Sequence, residues 1–360
     1  MFIIHCYGGV VLNELIILKP GEISERLKKM VEYSTKGYDL RIIETSNEIK
    51  SLRYKKILFV VELGDTGINI ELFRMLEKIK ISGNDYLENS HCSLLINSNN
   101  ELYSRDIARK IILYCNMAGC MFPGRPISEA TGSLKNFNTQ KKILTNLTLE
   151  EICLEDSKTV VDRLMNFSPN KLSNPKILTL HSSNYKTSNT LSLWNMVKSN
   201  LTDYNINEIH IENGSVRDCK GCPYKACKHY SQSHNCFYGG IMVEEVYPAI
   251  IESDILIMLC PNYNDSISAN LSAAINRLTA LFRKYKFYDK FVYSIIVSGF
   301  SGSDIIAEQL ISSLNINKTF MLPPKFALME TANDYGEIDK VEGIVEKARE
   351  FAENIKRCVN

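Results

Sequence analysis

Along the second half of the chain, short apolar runs alternate with stretches whose apolar positions recur every three or four residues. The first pattern is that of buried strands and the second that of amphipathic helices. Ile177-Leu178-Thr179-Leu180 predicts a strand, and Thr190–Leu201 a helix with Leu191, Trp194, Val197 and Leu201 on one face. Glu208–Glu212 is a second strand, followed by a polar, cysteine-rich loop. Met242–Ser253 then predicts a helix, Asp254–Cys260 a buried strand, 268–285 a helix, Phe291–Val297 a strand and 303–314 a helix. A short strand near Thr319–Leu322 and a polar helix running from Ile338 to the C-terminus close the pattern. Five strands alternating with helices imply an α/β, doubly wound parallel sheet covered on both faces. Such sheets place ligands at the carboxyl ends of their strands, so the loops there are where chemistry is sought.

The first half reads as a decayed copy of the second. Ile57–Glu62 followed by Leu72, Phe73 and Leu76 parallels Ile255–Cys260 followed by Leu271 and Ala274. Met121-Phe122-Pro123-Gly124-Arg125 parallels Met321-Leu322-Pro323-Pro324-Lys325. The opening strands, Phe2–Ile4 and Ile177–Thr179, are offset by about 175 residues and the later pairs by about 198 to 200. The extra length of the second copy, a little over 20 residues, falls at the cysteine loop, which the first copy lacks. Tandem duplication accounts for this. It divides the chain into a degenerate copy over 1–134, a linker over 135–175 with one helix around Thr148–Phe167, and a second copy over 176–360 with its cysteine-rich loop at 213–240.

Composition narrows the class. The chain has 360 residues, 45% hydrophobic and 23% charged, with net charge +1. Near-neutral charge argues against nucleic acid as a partner, because phosphate backbones require a basic surface. No apolar window approaches the ~18 residues of a membrane span. The start, Met1–Cys6, lacks the basic stretch and apolar core of a signal peptide and reads as a strand. A cytoplasmic protein is expected. Of 11 cysteines, seven (6, 92, 115, 120, 153, 260 and 358) are scattered and suit buried free thiols. Four others fall within 18 residues and need another explanation.

Three strand-end loops carry candidate chemistry. His181-Ser182-Ser183-Asn184-Tyr185-Lys186-Thr187-Ser188-Asn189-Thr190 joins the first strand of the copy to its first helix. Hydroxyls, amides and the free N–H groups of a helix start suit a phosphate, although the same residues are ordinary caps and turns. Pro261-Asn262-Tyr263-Asn264-Asp265-Ser266, after the third strand, is placed to grip the polar edge of a flat ring, with Tyr263 on or near it. Ser298-Gly299-Phe300-Ser301-Gly302, after the fourth, allows close backbone approach at two glycines. Each loop alone is ambiguous; the three together at one sheet edge are less so.

Here a resemblance enters. Pro261–Arg277 resembles the segment Pro-Val-Tyr-(Phe/Trp)-Gly-Ser-Val-Ser-Ala-Gln-Leu-Lys-Ala-Phe-Ile-Asp-Arg of NADPH-dependent FMN reductases and iron–sulfur flavoproteins. Pro261, Tyr263, Ser266, Ser268, Ala269, Leu271, Ala273, Ile275 and Arg277 match without a gap. Ser182–Thr190 is similar to that family's Ser-Pro-Arg-x-x-Gly-Asn-Thr phosphate loop. It keeps Ser182 and the Asn189-Thr190 ending, and departs at Ser183 and Asn184. The resemblance covers about 175–325 and implies a flavodoxin-like fold that binds FMN. By the same implication Ser182, Asn184, Lys186, Ser188, Asn189 and Thr190 hold the phosphate. Pro261, Asn262, Tyr263, Asn264, Asp265, Ser266, Ser298, Gly299, Phe300 and Gly302 hold the isoalloxazine ring. The first copy, with His5-Cys6-Tyr7-Gly8-Gly9-Val10-Val11 and Leu63-Gly64-Asp65-Thr66-Gly67, lacks these patterns and is expected to bind no flavin, serving instead as a built-in partner subunit.

The cysteines are Cys219, Cys222, Cys227 and Cys236. Four thiolates in one loop can ligate a [4Fe–4S] cluster, and the Cys-x-Gly-Cys start resembles the motif of iron–sulfur flavoproteins. A zinc tetrahedron drawing on His229 or His234, and a metal-free loop, remain alternatives. No side chain announces itself as a catalytic acid or base. The readings are an oxidoreductase taking electrons from NAD(P)H or a ferredoxin, an electron carrier working with a redox partner protein, and a redox sensor. The assembly is a homodimer or an intrachain pseudo-dimer.

Overall fold

The structure, a computed structural model, describes residues 14–169 and 171–359, with no side-chain account for 358 and 359. The expected strand Phe2–Ile4, the loop His5–Val11, Cys6 and the side chain of Cys358 lie outside the described residues. The chain forms two compact units: 1–104 with 127–167, and 105–126 with 168–360.

In the first unit, five parallel strands β1 (Glu14–Leu18), β2 (Asp39–Ile43), β3 (Lys56–Leu63), β4 (His91–Ser98) and β5 (Ile127–Ala130) lie in the order β2-β1-β3-β4-β5. The helices along this stretch of sequence are α1 (Glu25–Ser34), α2 (Ile70–Ile81), α3 (Ser104–Met117), α4 (Asn138–Lys141) and α5 (Leu149–Met165). The helix expected around Thr148–Phe167 is α5. Thr148 and Glu151 close its start with reciprocal hydrogen bonds. Its Ile152, Cys153, Val161 and Leu164 pack with Leu27 and Met30 of α1 on Leu15, Ile17, Leu58, Val60 and Leu95 of the sheet.

The second unit repeats the order. β6 (Lys176–His181), β7 (Asn205–His210), β8 (Ile255–Pro261), β9 (Phe291–Ser298) and β10 (Ala327–Thr331) form β10-β9-β8-β6-β7, all parallel. Its helices are α6 (Asn189–Lys198), α7 (Tyr224–Ser231), α8 (Tyr247–Glu252), α9 (Ala269–Phe282), α10 (Ser303–Leu310) and α11 (Ile344–Val359). β8 is buried along its whole length, as a central parallel strand must be. Two parallel five-stranded sheets of one order, flavodoxin-like in topology, fit a tandem duplication.

Several expectations need correction. Thr319–Leu322 is not the fifth strand. Met321 and Leu322 make isolated bridges to Phe291 and Phe122, and Pro323-Pro324 then removes the donors a ladder needs. The fifth strand is β10. Among the described residues the first copy's counterpart of β6 is β1, which pairs with both β2 and β3 as β6 pairs with β7 and β8. The inserted length is larger than a little over 20: the β7–β8 connection spans residues 211–254 and the β2–β3 connection only 44–55, a difference of 32 residues. The strand expected at Glu208–Glu212 begins earlier, at Asn205. The expected helices at 242–253 and 303–314 each contain a π-turn, Met242–Val246 and Ile311–Ile316.

The scattered cysteines 92, 115, 120, 153 and 260 are buried. Burial pushes the thiols of Cys153 and Cys260 up to about 12, so they are inert packing groups. Among the described residues no helix is long and apolar enough to cross a membrane.

Segment 105–126, first-copy by sequence, is built into the second unit. The contacts there are reciprocal. Asn116 Nδ2 donates to Cys120 O (3.0 Å) and Pro323 O (2.5 Å), while Asn315 Nδ2 donates to Phe320 O (2.8 Å) and Pro123 O (3.0 Å). Phe122 and Leu322 exchange backbone bonds of 2.9 Å in both directions. This is the pattern of an isologous interface, in which each partner offers the same groups. Both asparagines are fully buried. Asn116→Ala or Asn315→Ala, leaving two buried carbonyls unpaired, is expected to lower unfolding stability by roughly 2–4 kcal/mol each. Urea denaturation of the single variants checks this, and a loss under about 0.5 kcal/mol would mean the carboxamides are dispensable.

Candidate functional site

Parallel connection brings the ends of β6, β8, β9 and β10 to one edge of the second sheet. β6 ends at His181, 1% exposed, whose ring stacks on His210 at the end of β7 with centroids 4.8 Å apart. Burial, and then the neighbouring His210, pull the His181 pKa down to about 4, so it is neutral near pH 7. Tyr185 lies edge-on to both rings, at 5.4 and 4.9 Å.

The loop after β6 combines exposed and buried polar groups. Asn184, Tyr185, Lys186 and Thr187 are exposed. Asn184 Oδ1 accepts from Lys186 N–H (2.9 Å), and Ser188 caps α6 by accepting from Leu191 N–H (3.1 Å). Ser182 Oγ and Ser268 Oγ share a bond of 2.7 Å, tying this loop to the start of α9. Asn189 stands apart from its expected role. It is buried, and its carboxamide donates to Ala332 O (3.2 Å) and Asp334 O (2.8 Å) and accepts from Gly336 N–H (3.0 Å). It fastens the loop after β10 rather than facing outward. Thr190 is buried as well.

The β8 loop is a tight turn. Tyr263 and Ser266 pair across Asn264 and Asp265, which both have positive φ (53° and 55°). Asn and Asp tolerate that conformation better than most residues, as a two-residue hairpin turn requires. Asn262 Nδ2 donates to Ser298 Oγ (3.1 Å) and Ser301 O (2.9 Å), locking this loop to the one after β9. Gly302, at φ 87°, has room for no Cβ: one would stand 2.2 Å from Asp265 Oδ1. Gly299 is similarly pressed by Asn333 Oδ1 of the β10 loop, at 2.8 Å. Pro261 and Ser298 are buried supports, whereas Tyr263, Asp265, Ser266 and Phe300 are exposed at the rim. All the expected FMN-loop residues therefore share one edge of one sheet.

Sequence reasoning passed over Ser183, His181 and the β10 loop with its exposed Tyr335. Thr179 Oγ1, His181 Nδ1 and Ser183 Oγ are buried and have no hydrogen-bond partner among the described residues. Buried polar atoms normally have partners. Two of the three, His181 Nδ1 and Ser183 Oγ, stand at the foot of a loop opening on a helix start and fit a ligand that carries hydroxyls and a phosphate, as FMN does.

The four cysteines line one cavity of about 480 Å³ with Tyr230, Tyr238, Arg277 and Arg283. Arg283 Nε donates to Cys227 Sγ at 3.0 Å. Neither His229 nor His234 lines the cavity. Among the described residues no group of three or more His, Cys, Asp or Glu is placed to hold a metal ion.

Residues 175–334 match the profile of the NADPH-dependent FMN reductase family, and this segment is a domain of that family. No protein of curated function matches the sequence. Among solved structures, RosB with its bound 8-demethyl-8-formylriboflavin-5'-phosphate intermediate is similar at 13% identity and TM-score 0.40, over 51% of this chain and 79% of that one. NAD(P)H:quinone oxidoreductase from Methanothermobacter marburgensis is similar at 15% identity and 0.37, over 50% and 96%. An azoreductase from Bacillus anthracis str. Sterne follows at 14% and 0.33, over 51% and 99%. With these TM-scores below 0.5, the fold assignment rests on strand order and the family match instead.

Ser183 and Asn189 make opposite predictions. Ser183→Ala removes an unpaired buried hydroxyl and is expected to leave the flavin-free protein as stable as before, or more so by about 1 kcal/mol, while weakening FMN about tenfold. Asn189→Ala is expected to destabilise the flavin-free protein by roughly 2–4 kcal/mol, because the loop carbonyls lose their donor. Thermal melts with and without FMN separate the two; destabilisation by Ser183→Ala alone would show that its hydroxyl has a structural partner.

Proposed function

We infer that the second unit binds one FMN at the carboxyl edge of its sheet and is an NAD(P)H-linked oxidoreductase. The observation that carries this reading is the coincidence of the family match with the interlocked loops after β6, β8 and β9. FMN supplies the redox chemistry, and the protein's part is to bind, orient and shield it. Ser182, Asn184, Lys186 and Ser188, with Ser183 added, hold the phosphate beside the positive end of α6. Asn189 and Thr190 support that helix start from behind. Asn262 to Ser266 and Ser298 to Gly302 hold the ring's polar edge, with Tyr263 and Phe300 at its margin.

In the same reading Cys219, Cys222, Cys227 and Cys236 ligate a [4Fe–4S] cluster. Its support is that the four cysteines, the number of thiolates such a cluster takes, line one common cavity. The reciprocal asparagine contacts of segment 105–126 support the first copy as an internal counterpart of a partner subunit, making the chain an intrachain pseudo-dimer.

The test is protein prepared without oxygen. Flavin absorbance that bleaches on adding NADPH or NADH is expected, with about four irons per chain and Cys222→Ser losing iron but keeping flavin. Bleaching by dithionite but by neither nucleotide would replace the enzyme with an electron carrier. Zinc, or no metal, after growth in iron-rich medium would remove the cluster and leave the flavin site.

A further inference from the structure

The first unit repeats the sheet but not the loops, and a side chain already stands at its helix start. Register fixes which residues correspond. β4 and β9 both have eight residues and end at Ser98 and Ser298. Glu62 pairs with Asn97, and Pro261 pairs with Val297. Glu62 and Asn97 therefore occupy, in the first sheet, the positions of Pro261 and Val297 in the second. Two apolar residues at the flavin edge have become a carboxylate and a carboxamide.

Both reach the N-cap of α1. Glu62 Oε2 accepts from Ser24 N–H (3.0 Å) and from Ser24 Oγ (2.8 Å), and Glu62 Oε1 accepts from Asn97 Nδ2 (2.5 Å). Asn97 Nδ2 also lies 3.2 Å from Ser24 Oγ, which accepts from Leu27 N–H at 3.3 Å. Asn97 is only 3% exposed. Among the described residues no lysine or arginine pairs with Glu62. Its charge is met by N–H and O–H donors and by the positive end of a ten-residue helix, the groups that otherwise receive an external phosphate. At the start of α6 the situation is reversed. Among the described residues no side-chain carboxylate accepts a hydrogen bond from residues 182–190, and Ser183 Oγ is buried without a partner.

We propose that the Glu62 carboxylate is a built-in substitute for a ligand phosphate, closing the first unit's helix-start site and confining phosphate recognition to the second unit. An ordinary acidic residue near a helix N-terminus belongs to the helix's own first turn, as Glu25 does here. Glu62 arrives instead from the end of β3, across the loop that a phosphate would fill. The chain thus keeps the anion-binding geometry of the fold and supplies the anion itself.

The geometry of the first unit carries this inference independently of whether the second unit binds FMN. The test uses the full chain with FMN in excess, so that the second helix start is taken, and records flavin content separately. Thermal unfolding of wild type and Glu62→Ala is followed in tens of millimolar inorganic phosphate, with sodium chloride at equal ionic strength as the control. The expected result is a lower unfolding midpoint for Glu62→Ala that phosphate raises by several degrees, and no phosphate-specific rise in the wild type. Equal responses of the two proteins would overturn the proposal. Should Glu62→Ala fail to fold, Glu62→Ser decides: it keeps a polar side chain on the strand and vacates the place of the carboxylate. A destabilised Glu62→Ser restored by phosphate supports the substitution of charge for charge. A Glu62→Ser as stable as wild type, or one that phosphate does not restore, refutes it. Flavin lost from every protein alike would count against the FMN reading and not against this one.

Discussion

A parallel strand cannot reach its neighbour through a tight turn; the chain must cross a face of the sheet and return to the starting edge. Every strand of the second unit therefore ends at the same edge, and its loops meet there whatever their sequence. Contacts between those loops then stabilise what topology has assembled. Ser182 binds Ser268, Asn262 reaches across to the β9 loop, and Asn189 fastens the β10 loop. Gly302 is favoured by its φ of 87°, and a Cβ there would press on the Asp265 and Asn262 side chains, whereas at Gly299 a Cβ would meet the tip of the Asn333 side chain. The site is thus the consequence of a topological constraint with a few polar clasps added.

The same constraint acts on the first unit, and the outcome differs in a way that physical chemistry makes plain. A helix start and a sheet edge create a place where an anion is stabilised, and leaving its donors unsatisfied is costly. The second unit leaves a buried hydroxyl and an imidazole nitrogen there without partners. The first satisfies its donors with Glu62. One copy holds open what the other has closed.

Much of the fold was legible because strands buried on both faces are continuous apolar runs: Asp254–Cys260 and Phe291–Val297 identified β8 and β9 within one residue at each end. The misses have local causes. Thr319–Leu322 has a strand's composition, but the two prolines after it end pairing at single bridges. The strand β10, Ala-Leu-Met-Glu-Thr, carries a glutamate and little β-branching and so gives a weak signal. At the site, residue type was readable and direction was not. Asn189 in a phosphate-like loop looks like a ligand, yet its carboxamide turns toward residues 332–336, 140 positions or more away in sequence. Asn264 and Asp265 offered polar side chains, whereas the fold uses their tolerance of positive φ. Glu62 was visible as the last polar residue of a strand; that it caps α1 depends on β1 and β3 being neighbours, which periodicity does not encode.

The central claim is that two copies of one fold provide a single flavin site. It is tested most directly by titrating flavin-free protein with FMN and following the quenching of flavin fluorescence at protein concentrations well above the dissociation constant. A single site gives a sharp equivalence point at one FMN per chain, abolished by changes in the 182–190 loop. An equivalence point at two, or no binding at all, would contradict it.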